Sequence, residues 1–276
     1  MAKAFSVASW NVEHFGIVDG RSNQPVRPVE PIIAYLAQQK ADIVALYEVR
    51  SPDVFWPLAK AMPDYQFHMT EGPQLQEILV GVRKGLSAFV TQKLEFKSGQ
   101  STLRPGLLVT VQVAGEFYPL LFLHLKSLPD PKGFGLRDDM MRRAFKFRTV
   151  LDQAAGEGRA NYLFLGDLNT MGFDYPYKQF DIAPEDELRE LDRRCGYRQM
   201  RRLTKTLDRT WWNGSKDYAP GNLDHVIAAD HLTFKSFKGE EVAVRGWPER
   251  TTEAQQKDWI GKYSDHGLLY FEVQRA

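Results

Sequence analysis

The stretch NYLFLGDLNT, residues 161–170, is a strand-length apolar run that passes directly into Asp167 and Asn169. A buried strand has no need of an acid and an amide at its end. The pattern recurs: SVASW passes into Asn11 and Glu13, DIVALY into Glu48, and LLFL into His124 and Lys126. From the other side, Asp224 opens DHVIAA, and Asp265 and His266 precede the closing run GLLYFEV. In that run Leu268, Tyr270 and Val273 are expected to pack inward and Glu272 to face water. For any single position a polar turn is explanation enough, because Asp and Asn favour turns. Together the carboxylates, amides and histidines would converge if adjacent strands present one edge of a sandwich, where loops cluster.

The rest of the chain supports stacked sheets. Further strand-length runs are AFSVASW, ADIVALYEV, QEILVGVR, SAFVTQKLEF and LLVTVQV, rich in Val, Ile, Leu and Phe. Helices are fewer. One is predicted in 28–40, with Pro31 in its first turn and Ile32, Ile33, Leu36 and Ala37 on one face. A second covers 138–155, with Met140, Ala144, Phe147, Leu151 and Ala154 apolar and Arg142, Arg143 and Lys146 on a basic side. A third covers 184–195. Helices scattered among strands indicate sheets covered by helices rather than separate α and β domains. Long loops are expected at 16–28, 126–137, 170–183, 213–222 and 245–262. No repeat or linker marks a boundary, so 1–276 reads as one domain.

Composition excludes several classes. The 276 residues are 43% hydrophobic and 26% charged, ordinary for a globular protein, and 36 basic against 35 acidic side chains leave a net charge of +1. No whole-molecule field therefore favours nucleic acid or a membrane, and any basic surface must be local. Cys195 is the only cysteine, which removes internal disulfides and thiolate zinc sites and reads as a packing residue. No window approaches a membrane span and no signal-peptide pattern precedes the first strand, so the expectation is a cytoplasmic protein with no membrane partner. Nothing points to an obligate oligomer, so a monomer is expected.

The polar set contains what metal-assisted hydrolysis of a phosphate ester needs. Magnesium prefers oxygen ligands and keeps several waters, so carboxylates such as Glu48 and Asp265 suffice. Asp167 can orient or deprotonate the attacking water, and Asn169 can donate to a phosphate oxygen as charge builds. Asp224 and His266 make an oriented imidazole that serves as an acid–base group or transition-state stabiliser. There is no G-x-S-x-G elbow, H-E-x-x-H, P-loop or G-x-G-x-x-G, and glycosidase chemistry would leave the Asn and His residues idle.

These residues resemble the endonuclease/exonuclease/phosphatase superfamily, which includes deoxyribonuclease I, exonuclease III, neutral sphingomyelinases and inositol polyphosphate 5-phosphatases. SWNVEHF, DIVALYEV, LHLKS, GDLNT, NLDHV and SDHG follow in family order from residue 9 to residue 267. The resemblance implies a four-layer α/β/β/α sandwich, two packed mixed sheets flanked by helices, and catalysis dependent on Mg2+, with Mn2+ as a substitute. It implies Asn11 at the phosphate and metal site with Glu13 nearby, Glu48 as principal metal ligand and Asp265 beside the metal. Asp167 would activate water, Asn169 would orient it or the phosphate, and Asp224 would position His266. His124 resembles the histidine of the deoxyribonuclease and sphingomyelinase branches. Tyr47 stands where the family often has Gln, and the tryptophan segment RTWWNGSKDYAPGNLDHV is similar to the exonuclease III branch instead. His225 and His231 match no catalytic position and read as structural.

The stretch 193–212 holds Arg193, Arg194, Arg198, Arg201, Arg202, Lys205 and Arg209 beside Trp211 and Trp212. It could track phosphates and stack on a base, or be a solvated basic face with buried tryptophans. Arg104 and Lys126 are further candidate phosphate contacts. The expected activity is a phosphodiesterase acting on DNA or RNA. A phosphatase or lipid phosphodiesterase, and an inactive binding module, are the alternatives.

Overall fold

The structure, a computed structural model, describes residues 2–16, 27–72, 76–156 and 159–275. In chain order its elements are β1 (Lys3–Phe15), α1 (Val29–Gln38), β2 (Ile43–Val49), α2 (Phe55–Ala61), β3 (Tyr65–Met69), β4 (Glu77–Arg83), β5 (Ser87–Lys93), β6 (Gly106–Val113) and β7 (Glu116–His124). There follow α3 (Pro131–Ala154), β8 (Leu163–Asp167), α4 (Pro184–Tyr197), β9 (Met200–Arg202), β10 (Asp224–Ala229), β11 (Ala243–Arg245), α5 (Glu253–Lys262) and β12 (Leu268–Gln274).

The strands form two six-stranded sheets, ordered β11-β12-β1-β2-β4-β3 and β5-β6-β7-β8-β10-β9. Each sheet is mixed and has its parallel pair at the centre: β1 with β2 in one, β7 with β8 in the other. Side chains alternate across β1, so Phe5 and Val7 enter the core between the sheets, while Ala8, Trp10 and Val12 pack on Ile32 and Leu36 of α1 and Trp259 of α5. On the outer face of the second sheet, Leu121, Leu123 and Phe164 meet Met140, Ala144 and Phe145 of α3 and Leu191 of α4. Helices outside and a shared core inside make the expected four layers.

Several boundaries differ from the sequence reading. Helix α3 begins at Pro131, where the sequence predicts loop to residue 137. Two glycines in its first turns lower helix propensity, but Asp130 caps the backbone N–H groups of Lys132 and Gly133, and Pro131 suits the first turn. A β-carbon on Gly133 would stand 2.4 Å from the Leu128 carbonyl, so close packing demands glycine there. Arg137 and Arg148 join the buried side of α3, whereas Ala154 is exposed. The expected loop 245–262 contains α5, capped by Thr252 and held by buried Trp259 and Ile260. Helix α2 and the short strands β3, β9 and β11 carry too little periodic signal to be read in advance. In β12 the expected inward set is split: Leu268 and Tyr270 face the helices, while Leu269, Phe271 and Val273 enter the inter-sheet core. The run is buried on both faces, as its continuous apolarity requires. Most of the expected loop 16–28 lies outside the described residues.

Candidate active site

Parallel pairing inside each sheet, with antiparallel neighbours beside it, brings the polar strand ends together. β1 and β2 run side by side and carry Asn11 and Glu48 where their regular pairing breaks register, and β7 and β8 end in the paired residues His124 and Asp167. β10 is antiparallel to β8 and starts at Asp224, directly opposite Asp167. β12 is antiparallel to β1 and is preceded by Asp265 and His266. Ends of parallel strands and beginnings of antiparallel ones therefore share one edge of the sandwich. Glu48, Arg104, His124, Asp167, Asn169, Trp211, Asp265 and His266 all line a cleft of about 980 Å³ there. That volume lies at the upper end of roughly 300–1,000 Å³ for small-ligand sites.

The two sheets are joined at this edge by hydrogen bonds. The Asn11 amide Nδ2 donates to Asp167 Oδ2 at 2.9 Å and to Glu48 Oε1 at 3.3 Å. His266 Nδ1 stands 2.8 Å from Asp224 Oδ2, and its Nε2 is directed toward Asp167 Oδ2 at 3.8 Å and Asp265 Oδ1 at 4.0 Å. Asp224, Asp167 and His266 each offer a ligand-type atom within 4.8 Å of the others. His124 Nε2 lies 3.5 Å from Asp167 Oδ2 and 3.8 Å from Glu48 Oε1. Asn169 spends one amide N–H on the Leu125 carbonyl at 3.1 Å, while its backbone N–H donates to Asp167 Oδ1. The amide's second N–H remains available.

Burial sets the electrostatics. It raises the Asp167 carboxyl to about 7, with Asp224 and Glu48 adding repulsion against the opposing effects of His266 and the Asn11 hydrogen bond. Burial alone would lower His266, but Asp224, Asp167 and Asp265 overcome it and raise the imidazole to about 10. His124 goes the other way, held well below its ordinary value by burial and by the Arg104 guanidinium. Burial opposes ionisation of Glu48 too, yet the hydrogen bond from His14 and the charge on His266 hold it well below the usual carboxylate range. The edge thus presents a cationic imidazole at His266, a neutral one at His124, a third at His14 raised by its hydrogen bond to Glu48, and a surplus of carboxylates.

Some positions carry backbone strain. Glu48 and Asn169 have φ of 61° and 51°, the left-handed region that non-glycine residues rarely occupy. Gly166, at φ 133°, lies where a β-carbon would meet the Leu123 carbonyl at 2.1 Å and the Tyr47 hydroxyl at 2.7 Å. Tyr47 is wholly buried beneath the site, and its hydroxyl pairs with Ser9 Oγ at 3.0 Å. At the position where the family often has Gln, the polar contact is therefore made within the inter-sheet core.

Other expected contacts are redistributed. Trp211 lines the cleft, and its indole N–H donates to Asp265 Oδ2 at 2.8 Å. Trp212, expected to contact substrate, is instead buried against Trp247, with its N–H on the Ser215 and Tyr218 carbonyls. Arg104 is buried and donates to the His124 and Leu125 carbonyls, which anchors the end of β7. Lys126 is half-buried beside it. Glu13 pairs with Arg27. In the basic stretch Arg193 and Arg194 pair with Glu190, Arg201 with Glu241 and Arg202 with Asp192, and Lys205 is buried against the Asp224 carbonyl. Arg209 is exposed and lines the cleft. His225 is buried between Thr170 and the Asn222 carbonyl, and His231 meets Asn161. Burial raises the Cys195 thiol to about 12, consistent with a packing role.

Three residues that the sequence pattern does not single out, His14, Ser264 and Gly166, also build the site. His14 Nδ1 lies 3.0 Å from Glu48 Oε2. Ser264 Oγ donates to the Asn11 carbonyl and accepts from the His266 backbone N–H. His14 lies within the SWNVEHF motif, but nothing in a one-dimensional pattern shows which way it turns.

A sequence model of the Endonuclease/Exonuclease/phosphatase family matches residues 8–266. No curated protein matches the sequence significantly. Solved structures do share the fold. TDP2 from D. rerio, complexed with single strand DNA product, is 18% identical with a TM-score of 0.62 over 98% of this chain and 99% of that one. The human Nocturnin catalytic domain is 14% identical with a TM-score of 0.64 over 99% and 93%. A mannosyl-6-phosphatase from Bacteroides thetaiotaomicron is 13% identical with a TM-score of 0.61 over 98% and 100%. The chain belongs to the endonuclease/exonuclease/phosphatase family, whose members are phosphoesterases.

Proposed function

We propose that this member of the endonuclease/exonuclease/phosphatase family hydrolyses phosphodiester bonds in nucleic acid with the aid of a divalent cation. The observation that carries the reading is the convergence on one edge of the sandwich of Glu48, His124, Asp167, Asn169, Asp265 and His266, which line the cleft, with Asn11 and Asp224 hydrogen-bonded behind them. A binding module would have no use for an ion-paired imidazole beside a carboxyl with a raised pKa.

The residues fit a cation. Asn11 Oδ1 is buried without a hydrogen-bond partner next to the Glu48 carboxylate, and the site holds more carboxylates than its imidazoles offset. Glu48, Asn11 and Asp265 would hold it, an oxygen set that suits Mg2+, with Mn2+ as substitute. When bound, it supplies positive charge to the phosphoryl oxygens. Asp167, Asp224 and His266 are spaced for a metal as well, but a protonated imidazole bound to Asp224 has no lone pair to give. In this reading Asp167 orients and deprotonates the attacking water, and its raised pKa makes it an apt base near neutrality. The Nε2–H of His266 and the free amide N–H of Asn169 donate to the phosphate oxygens as charge builds. Neutral His124, with Nε2 beside Asp167 and Glu48, is a further donor. Trp211 and Arg209 face the substrate from the rim.

One observation favours a second reading, hydrolysis of a small phosphomonoester. The arginines of the 193–202 stretch are largely taken up by acidic partners, which shortens any track for a polyanion. Relaxation of supercoiled plasmid with Mg2+, with EDTA, and by Asp167→Ala in Mg2+ separates the two. Nicking lost in both controls supports the nuclease. No nicking, together with metal-dependent cleavage of p-nitrophenyl phosphate, supports the phosphatase.

A further inference from the structure

The segment between β8 and α4 is an anchored projection at the rim of the cleft. Met171 and Pro184, at its two feet, line the cleft. Between them the chain folds back on itself, with Phe173 and Ile182 exchanging both backbone hydrogen bonds at 2.9 Å. The Gly172 N–H donates to Glu187 Oε2 at 2.7 Å, its carbonyl accepts from Arg137 at 2.8 Å, and the Asp174 N–H donates to the Pro129 carbonyl at 2.8 Å. A β-carbon on Gly172, at φ 80°, would lie 2.4 Å from the Ile182 carbonyl oxygen, so this close crossing requires glycine. From that base a row of rings runs outward. Centroids are 5.1 Å apart from Phe134 to Phe173, 5.7 Å from Phe173 to Tyr175, and 5.7 and 5.8 Å from Tyr175 to Tyr177 and to Phe180. The row ends in water: Tyr177 is 66% and Phe180 59% exposed.

We propose that the hairpin 173–182 is a stacking platform for unpaired bases, over which a single strand of nucleic acid passes into the cleft. The inference rests on the nuclease reading above and names its substrate as single-stranded. Exposure supports it first. Rings gathered on an anchored projection keep apolar area in water, a cost that a partner covering them offsets and that a plain connection would avoid. Continuity supports it second, because the row begins two residues beyond Met171, which lines the cleft. Charge supports it independently. Burial lowers the Lys126 ammonium, and Arg104, Lys132 and Arg137 add repulsion, which marks a local group of cations beside the foot of the hairpin. Glu187 offsets Arg137, while half-buried Lys126 and exposed Lys132 are placed to meet phosphates as the bases stack on the rings. A duplex hides its base faces within its own stack, so the platform selects single strands. A membrane fits the surface less well. It would draw the exposed carboxylates of Asp174 and Asp181 into its interface with the rings, whereas a base covers ring faces and leaves them in water.

The test uses the full chain and fluorescence anisotropy in EDTA, which prevents cleavage, with labelled oligothymidylate and an abasic strand of the same length as probes. Tyr177→Ser combined with Phe180→Ser removes the two exposed rings, and circular dichroism checks that the fold is kept. The double variant is expected to bind oligothymidylate about 10-fold or more weakly, because each base loses a stacking partner. Its affinity for the abasic strand should stay within about 2-fold of the wild type, since the phosphate contacts remain. Tyr177→Trp combined with Phe180→Trp should restore oligothymidylate binding. An equal loss on both strands, or no loss on either, would overturn the platform; nicking of plasmid by the wild type would then leave the nuclease reading in place. Sedimentation with phosphatidylserine vesicles that the serine variant abolishes, with oligothymidylate binding unchanged, would make the hairpin a membrane anchor and overturn the proposal. A wild type that binds neither strand and does not nick plasmid would overturn the nuclease reading and this inference with it.

Discussion

The amide of Asn11, at the edge of one sheet, donates to Asp167 at the edge of the other across 2.9 Å. This bond crosses the sandwich where the pairing of β1 with β2 breaks register and that of β7 with β8 ends. It orients the carboxylate and offsets part of the repulsion from Asp224 and Glu48.

Asp167→Asn keeps the shape and removes the base. Turnover is expected to fall about 100-fold to 10,000-fold, with the circular dichroism spectrum unchanged. Asn11→Ala should lower turnover less and should further raise the pKa of Asp167, because a hydrogen bond to the charged form is lost. An acid limb of the pH–rate profile that moves toward higher pH is the measurement.

Asp224→Asn removes the charge that keeps His266 protonated. In the wild type Asp224, Asp167 and Asp265 raise the imidazole to about 10 against the effect of burial, and the substitution should bring it down toward its ordinary 6.5, as followed by NMR of the ring protons. The sign for stability follows. A raised folded-state pKa stabilises fully below about 6.5 and loses that contribution as pH rises toward about 10. The melting temperature of the wild type should carry a decline over that window, and the variant should show less of it.

Gly166→Ala places a methyl group against the Leu123 carbonyl and the Tyr47 hydroxyl in a backbone conformation that disfavours side chains. Destabilisation of about 3 kcal/mol or more is expected in urea. Tyr47→Phe, which loses only the Ser9 contact, should cost about 1 kcal/mol.

The adjacent tryptophans should behave oppositely. Trp212→Ala empties a core position and is expected to cost about 3–5 kcal/mol. Trp211→Phe should leave the fold intact but release Asp265, weakening divalent-ion binding about 10-fold by calorimetry.

Arg209 faces the cleft as an exposed cation. On a nucleic-acid substrate, Arg209→Ala should weaken binding and reduce the slope of log affinity against log salt by roughly 0.7–0.9. An unchanged slope would favour the small phosphomonoester.

Much of this architecture was legible in the sequence because it rests on local pattern. Apolar runs of strand length, ending in Asn11, Glu48, His124 and Asp167, announced strands with a common polar edge, and the order of the motifs announced the family. Helix α3 began earlier than predicted because the Asp130 cap and close packing at Gly133 override propensity. What only the tertiary structure decided is direction and pairing. Three Asp-His dipeptides look alike in sequence, yet Asp224 reaches His266 across the sandwich while His225 turns to Thr170. Two adjacent tryptophans divide between cleft and core, and Arg194 and Arg201 meet Asp138 and Glu241 far along the chain. Alternation within a strand is a local property that sequence carries. Which side chain meets which across two sheets depends on register and twist, and those arise only when the layers pack.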